Sequence, residues 1–404
     1  MFACVFHEST AYNNNTINSS LIIMETASAD FGKGDSMKVI CNQSELVNSL
    51  GTAFRAVSSK TSFPILECFL LEAKDSNLII TANDMELGIE IRILCRVDNP
   101  GRIAVNAKIF YDIIRKLPED IVFIEVDQDY VIYITCGKAK FKIAGLPGND
   151  FPPLPAYERV NGVKLSQFTL KELISKTIFA VSLNEADQIR TGECFEITGN
   201  KLRVIALDGH RAAIRNIEMK EEYNNQTAVI PGKTLLEISK ILSGNVEDEV
   251  NIFFMKNLVI FEMNHTIVLS RLIEGRFYNL NPMLNSGYTT KVTLNKREFS
   301  DCIDRASLLV KESERRPVII DIKDGVLSVN MKSSLGTMDD ELTIFKEGND
   351  ITIGLNPKFI MDVLRSIDDE DITLYLTTVG NPCFIRDSEN SYIYLILPVN
   401  IGNR

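Results

Sequence analysis

The chain has 404 residues, 45% hydrophobic and 24% charged with 13 prolines, a profile that excludes disordered and fibrous classes. Its length exceeds what one core usually serves, so two to four domains are expected, and no run approaches the roughly 18 apolar residues of a membrane span. The net charge of −11 speaks against a simple phosphate binder, and eight cysteines without a C-x-x-C pair read as reduced thiols of a cytoplasmic protein rather than as a zinc or thioredoxin site.

Residues 1–36 are polar and weakly patterned, with Asn13–Asn15 and Ser19–Ser20 but no basic start or long apolar segment of a signal peptide. Regular patterning begins at Met37-Lys38-Val39-Ile40. Met37 therefore reads as the natural start, and 1–36 as a tag or over-called start that packs poorly.

Beyond Met37 the chain repeats itself. A first helix recurs around Leu46, Leu173 and Phe299. After it come turns at Asp75-Ser76-Asn77, Gly199-Asn200 and Asp324-Gly325, each leading into a β-rich run. A second helix opens at Val105-Asn106-Ala107-Lys108, Ile230-Pro231-Gly232-Lys233 and Leu355-Asn356-Pro357-Lys358, with its lysines 125 residues apart in both steps. The alternation Ile124-Glu125-Val126-Asp127 and the run Val131-Ile132-Tyr133-Ile134 supply the strands that follow. Connectors carrying Phe151 and Phe277 divide the chain into domains of 37–162, 163–288 and 289–404. The repeat alone is equally compatible with a tandem array of no special function.

Each second helix carries charges at i, i+4 and i+7: Lys108, Asp112 and Arg115; Lys233, Glu237 and Lys240; Lys358, Asp362 and Arg365. That spacing predicts one shared charged face opposite the apolar stripe. A solvated face with ion pairs is the plain reading of any single helix. Across all six helical windows, however, 17 basic residues stand against 10 acidic ones, so the rest of the chain carries −18 of the total. An acidic protein that gathers positive charge on repeated helices can attract phosphate with one surface and repel it elsewhere, weakly enough to slide.

The segments Ala206-Leu207-Asp208-Gly209-His210-Arg211-Ala212-Ala213, Leu272-Ile273-Glu274-Gly275-Arg276-Phe277, Leu355-Asn356-Pro357 and Leu397-Pro398-Val399 resemble the signature stretches of the bacterial DNA polymerase III beta subunit, the sliding clamp family. The resemblance covers 37–404. It implies an α+β fold of three tandem clamp domains, each with two helices packed on antiparallel sheets, and a head-to-tail homodimer ring around duplex DNA. The implied role is a non-catalytic processivity factor without a cofactor. Its implied partners are double-stranded DNA, the replicative polymerase subunit, the clamp loader and other clamp-motif proteins.

The resemblance implies two sets of residues, and the repeated basic faces supply a third. A partner-peptide pocket falls on Leu207, Gly209, His210, Arg211, Ala212, Pro231, Leu235, Asn356, Phe359, Leu395, Leu397, Pro398 and Val399. Gly209 is expected to admit the peptide backbone, and His210 and Arg211 to hydrogen-bond the glutamine that opens the family's motif. The dimer interface falls on Phe141 and Ile143 against Leu308 and Leu309, which as lone apolar residues fit a core equally well. Candidates for the DNA-facing surface are Lys60, Lys108, Arg115, Lys233, Lys240, Lys358 and Arg365. Two departures stand out: Arg190 where the family has leucine, and Asn400 where the chain commonly ends in arginine. Two rival readings are a scaffold that never encircles DNA and an acid–base enzyme using Asp208, His210 and Arg211. With three histidines in all, no phosphate-cradling glycine loop and no G-x-S-x-G, no mechanism is completed.

Overall fold

The computed structural model describes residues 36–58, 61–310 and 316–401. Residues 1–35 and Lys60 therefore lie outside the described residues. Among the described residues seven α-helices punctuate an otherwise β-rich fold: α1 (Gln43–Ala53), α2 (Ala107–Lys116), α3 (Gln167–Ser175), α4 (Gly232–Ile241), a single turn α5 (Asn281–Leu284), α6 (Lys296–Ser307) and α7 (Pro357–Ser366). The long helices come as adjoining pairs, α1 with α2, α3 with α4 and α6 with α7.

The helix starts are written in the strands before them. Asn42, Ser166 and Asn295 each end a strand and accept hydrogen bonds from backbone N–H groups of the first helical turn, as Asn106 and Asn356 do for α2 and α7. Such caps satisfy donors that a helix leaves open, and losing one costs about 0.5–2 kcal/mol. Pro231 takes this place ahead of α4 without a side-chain cap.

Four antiparallel sheets carry the helices. One has nine strands, in the order Leu146–Pro147, Gly101–Asn106, Cys68–Lys74, Asn77–Asn83, Leu87–Leu94, Thr266–Arg271, Leu258–Met263, Glu249–Phe254 and Val163–Ser166. It crosses from the first repeat to the second where Val268 faces Ile89. A seven-stranded sheet crosses from the second repeat to the third where Arg211–Pro231 pairs with Tyr392–Ile396. The other two sheets stop short. A five-stranded sheet ends at Ala139–Ala144, and a four-stranded sheet ends at Gly336–Thr343.

Burial follows this layout. The first two repeats share one core, in which Phe69, Phe110, Leu170 and Phe261 are fully enclosed. The third has its own, around Phe299, Val329 and Tyr394, into which Ala180, Ala206 and Ala213 of the second repeat intrude. Strand alternation sends Val204 and Ala206 toward the helices, while Ile205 and Leu207 enter a separate cluster on the other face.

Candidate functional site

The seam between the second and third repeats is continuous sheet, with Arg211 opposite Ile396 and Ala212 opposite Leu395. On its outer face Leu207, Ala212, Ile214, Phe384 and Leu395 join Phe277 of the connector in one apolar cluster. Ile189, Leu280, Met283, Leu284 and Leu397 pack against it while staying partly open. Phe277, Leu280, Met283 and Leu284 were not anticipated as site residues. The signal was there, since Asn281-Pro282 opens a helical turn right after the connector, with proline at a position helices favour.

Several expected pocket residues converge on this cluster. Leu397 donates its N–H to the His210 carbonyl at 2.8 Å, and Val399 donates to the Gly354 carbonyl at 2.8 Å. The C-terminal segment, with half-buried Pro398, therefore runs from His210 to the strand preceding Asn356 and α7. The His210 and Phe359 rings stack with centroids 6.5 Å apart. Pro231 ends its strand opposite Gly192. Leu235 is a correction: it is fully buried in the core of the first two repeats, because its position on α4 belongs to the apolar stripe.

Two further expectations change. The space above Gly209, whose φ is +92°, is held by Arg190, whose Nη1 lies 2.6 Å from where a Cβ would stand. In this structure the guanidinium end of a flexible side chain occupies that room. Arg190 is held in turn by Tyr278, at 3.0 Å from its hydroxyl and 4.8 Å from the ring centroid, and by Asp187 at 2.9 Å. Arg211 points inward instead of toward a peptide. It donates to Asp208, to Asp362 of α7 and to the Phe179 carbonyl, and lies over the rings of Phe359 (4.4 Å) and Phe179 (5.4 Å). Its role here is to fasten the seam and seat Phe359. Asp208 is likewise occupied, accepting from the N–H groups of His210 and Arg211 and from the Arg211 side chain, so no free carboxylate faces the imidazole.

The basic helices present their cations as the spacing suggests, but two of their three acids reach across to a neighbouring repeat. Lys108, Arg115, Lys233, Lys240, Lys358 and Arg365 are exposed. Asp362 turns into the seam toward Arg211, and Glu237 reaches Arg55 of the first repeat at 2.9 Å while also holding Lys240. The single shared face expected for each trio is thus divided on α4 and α7, where i+4 lies close enough to the preceding repeat to be drawn to its arginine. Asp112, the third member of this series, pairs only locally, with Arg115 at 2.9 Å.

At the two open sheet ends, apolar side chains are uncovered. Phe141, opposite buried Ile134, is 39% exposed, and Ile143 faces Ile132. Leu308, just past α6, is 77% exposed, and the Leu309 Cδ2 lies 3.8 Å from the Cβ position of Gly336 on the open edge. One buried acid stands apart from all of these surfaces. Glu193 is wholly enclosed, held by Thr177 at 2.8 Å, and desolvation pushes its carboxyl up to about 8.

Three repeats of paired helices on shared sheets, with exposed cations on the second helices, define a tandem-repeat protein of the clamp class. Models of the N-terminal, central and C-terminal domains of the DNA polymerase III beta subunit match residues 37–155, 164–279 and 283–400. A beta sliding clamp of Staphylococcus epidermidis is 32% identical over 374 residues, which span 90% of this chain and 99% of that one. The crystal structure of a DNA polymerase III beta subunit from Eubacterium rectale superposes with a TM-score of 0.89 at 48% identity, covering 91% of this chain and all of the other. The DNA polymerase sliding clamp of Bacillus subtilis gives 0.88 at 32%, covering 90% and 99%. The chain belongs to the DNA polymerase III beta subunit family. It is a non-catalytic sliding clamp, and the acid–base reading of Asp208, His210 and Arg211 is set aside.

Proposed function

We propose that two copies of this chain close head to tail around duplex DNA in the cytoplasm, and that polymerase and other partners dock by a short apolar segment at the seam of the second and third repeats. The observation that carries the ring is the pair of unfinished sheets. Set edge to edge, the sheets ending at Ala139–Ala144 and Gly336–Thr343 reproduce eight consecutive strands of the nine-stranded sheet, all but its Leu146–Pro147 edge, with Arg96–Asn99 added at the opposite flank. Such edges need covering, and head-to-tail contact closes when its rotation does.

The internal junctions also supply a register. Val268 faces Ile89 at one and Tyr394 faces Ala213 at the other. By hairpin position, Val268 corresponds to Phe141 and Ile89 to Met338. Between copies, Phe141 is then set against Met338, and Lys140 against Asp339. Domain limits of 37–162, 163–288 and 289–404 suit this arrangement, because Val163–Ser166 and Thr290–Asn295 start the second and third units.

With that closure the second helices of all repeats turn their exposed cations inward as a sequence-independent lining. At the seam, Leu207, Leu395 and Leu397 with Phe277 and Met283 offer apolar anchoring at a domain boundary, where ligand sites are favoured. His210 and Phe359 form its rim. The test is a Phe141→Cys, Met338→Cys double variant treated with a short bismaleimide. A covalent dimer that stays on circular duplex and slips off linear duplex is expected, whereas cross-linking no better than with Phe141→Cys alone would refute the register.

A further inference from the structure

Cys41 lies on Lys38–Asn42, the strand that pairs antiparallel with Arg96–Asn99. Val39 faces Val97 and Ile40 faces Arg96, and one further step along that register, just past the end of the paired strand Arg96–Asn99, sets Cys41 toward Cys95. Directly opposed residues of antiparallel strands stand about 4.5–5.5 Å apart, within the span a disulfide bridges. Each thiol shifts the acidity of the other, both are reduced, and Cys41 is buried while Cys95 is partly open. We propose that Cys41 and Cys95 form an oxidant-responsive dithiol, a modification site in which Cys95 is attacked first and Cys41 resolves it.

The chemistry divides unequally between the two sulfurs. The adjacent Cys41 thiol, aided by the Leu78 backbone, holds the Cys95 thiol below its usual range despite partial burial and nearby Glu45. Cys68, Cys194, Cys302 and Cys383 are instead raised by burial, to about 11 or 12. Low pKa together with access marks the reactive thiol. A hydroperoxide supplies the oxidant: the Cys95 thiolate takes its terminal oxygen and releases alkoxide or hydroxide, giving a sulfenic acid. The Cys41 sulfur then attacks that sulfur, the S–O bond breaks, and water leaves with the Cys41 proton. Two thiols have lost two electrons, and the peroxide has gained them.

The bridge would tie the five-stranded sheet to Leu87–Leu94, the strand just before Cys95 that continues into the second repeat. It sits at the edge opposite Ala139–Ala144, so dimerisation serves as an internal control.

The full-length protein is exposed to stoichiometric hydrogen peroxide, alkylated and mapped by mass spectrometry without reduction. The expected result is a linked pair of peptides holding Cys41 and Cys95, lighter by two hydrogens and separated again by dithiothreitol, with the dimer intact. In Cys41→Ser, a dimedone adduct should accumulate at Cys95. A peroxide-treated wild type in which Cys95 is sulfenylated while Cys41 remains free, in which Cys95 bridges to Cys4 or another thiol, or in which both stay reduced, overturns the assignment without recourse to any variant.

Discussion

The Arg211 guanidinium donates to the Asp362 carboxylate at 2.5 Å, joining the second repeat to α7 of the third. One repeat earlier Arg55 does the same for Glu237 of α4. Arg211 is the more buried of the two arginines, and its removal leaves both Asp208 and Asp362 without their cation. Breaking a buried pair from one side costs about 3–5 kcal/mol. Arg211→Met is therefore expected to lower the urea midpoint and to weaken peptide binding by releasing Phe359, with little effect on dimer mass. Unchanged unfolding would mean that the seam does not depend on this contact.

Leu308 and Leu309 each changed to aspartate should yield a monomer by light scattering after size exclusion, since a charge at an apolar contact is costly. Persistence of the dimer at micromolar concentration would remove these leucines from the interface.

Charge reversal of Arg115, Lys240 and Arg365 to glutamate should weaken DNA retention and flatten its salt dependence, by about one unit of slope for each phosphate that is no longer neutralised. Lys240 is paired with Glu237, so its reversal adds repulsion as well. Full retention on circular DNA by the triple variant would show that these cations do not line the hole.

Leu397→Ala should loosen a fluorescent clamp-motif peptide by about tenfold, the loss expected when about 1.5 kcal/mol of side-chain burial is removed. Leu235→Ala should instead destabilise the fold with no selective effect on the peptide, because Leu235 is core. Equal weakening of peptide binding in the two variants would contradict this division.

Glu193 should make stability fall as pH rises. Its folded carboxyl is raised to about 8 from 4.5, so between those values the unfolded state releases a proton that the folded state keeps. Below that window there is no penalty, and above it the penalty is complete. Glu193→Gln is expected to be more stable than the parent at pH 9 by a few kcal/mol at most, and similar to it at pH 4. A parallel pair of pH–stability curves would contradict the buried charge.

Much of the architecture was legible because it is periodic. Lysines at constant spacing and repeated turns locate the helices and their order, and the strand-ending asparagines set the helix starts. What stayed hidden depends on neighbours distant in sequence. Asp362 reads as surface charge until Arg211 comes within reach, and Leu235 reads as a pocket residue until the α4 stripe is seen to face the shared core. Gly209 invites an approaching backbone, yet Arg190, nineteen positions earlier, fills that space. The Cys41–Cys95 pairing needs the register of an edge strand, which composition does not carry.

The unfinished edges at Ala139–Ala144 and Gly336–Thr343 make the three junctions of each half-ring unequal. Two are spliced by the chain itself and riveted by Arg55 with Glu237 and by Arg211 with Asp362. The third has no covalent strap, so in the proposed ring mechanical parting falls at one of two such junctions, and a loader need not choose among six. Once parted, that junction exposes two raw strand edges beside Phe141 and Leu308, which are adhesive toward any third copy. Whatever holds the ring open must therefore also act as a guard, shielding those edges until DNA is inside.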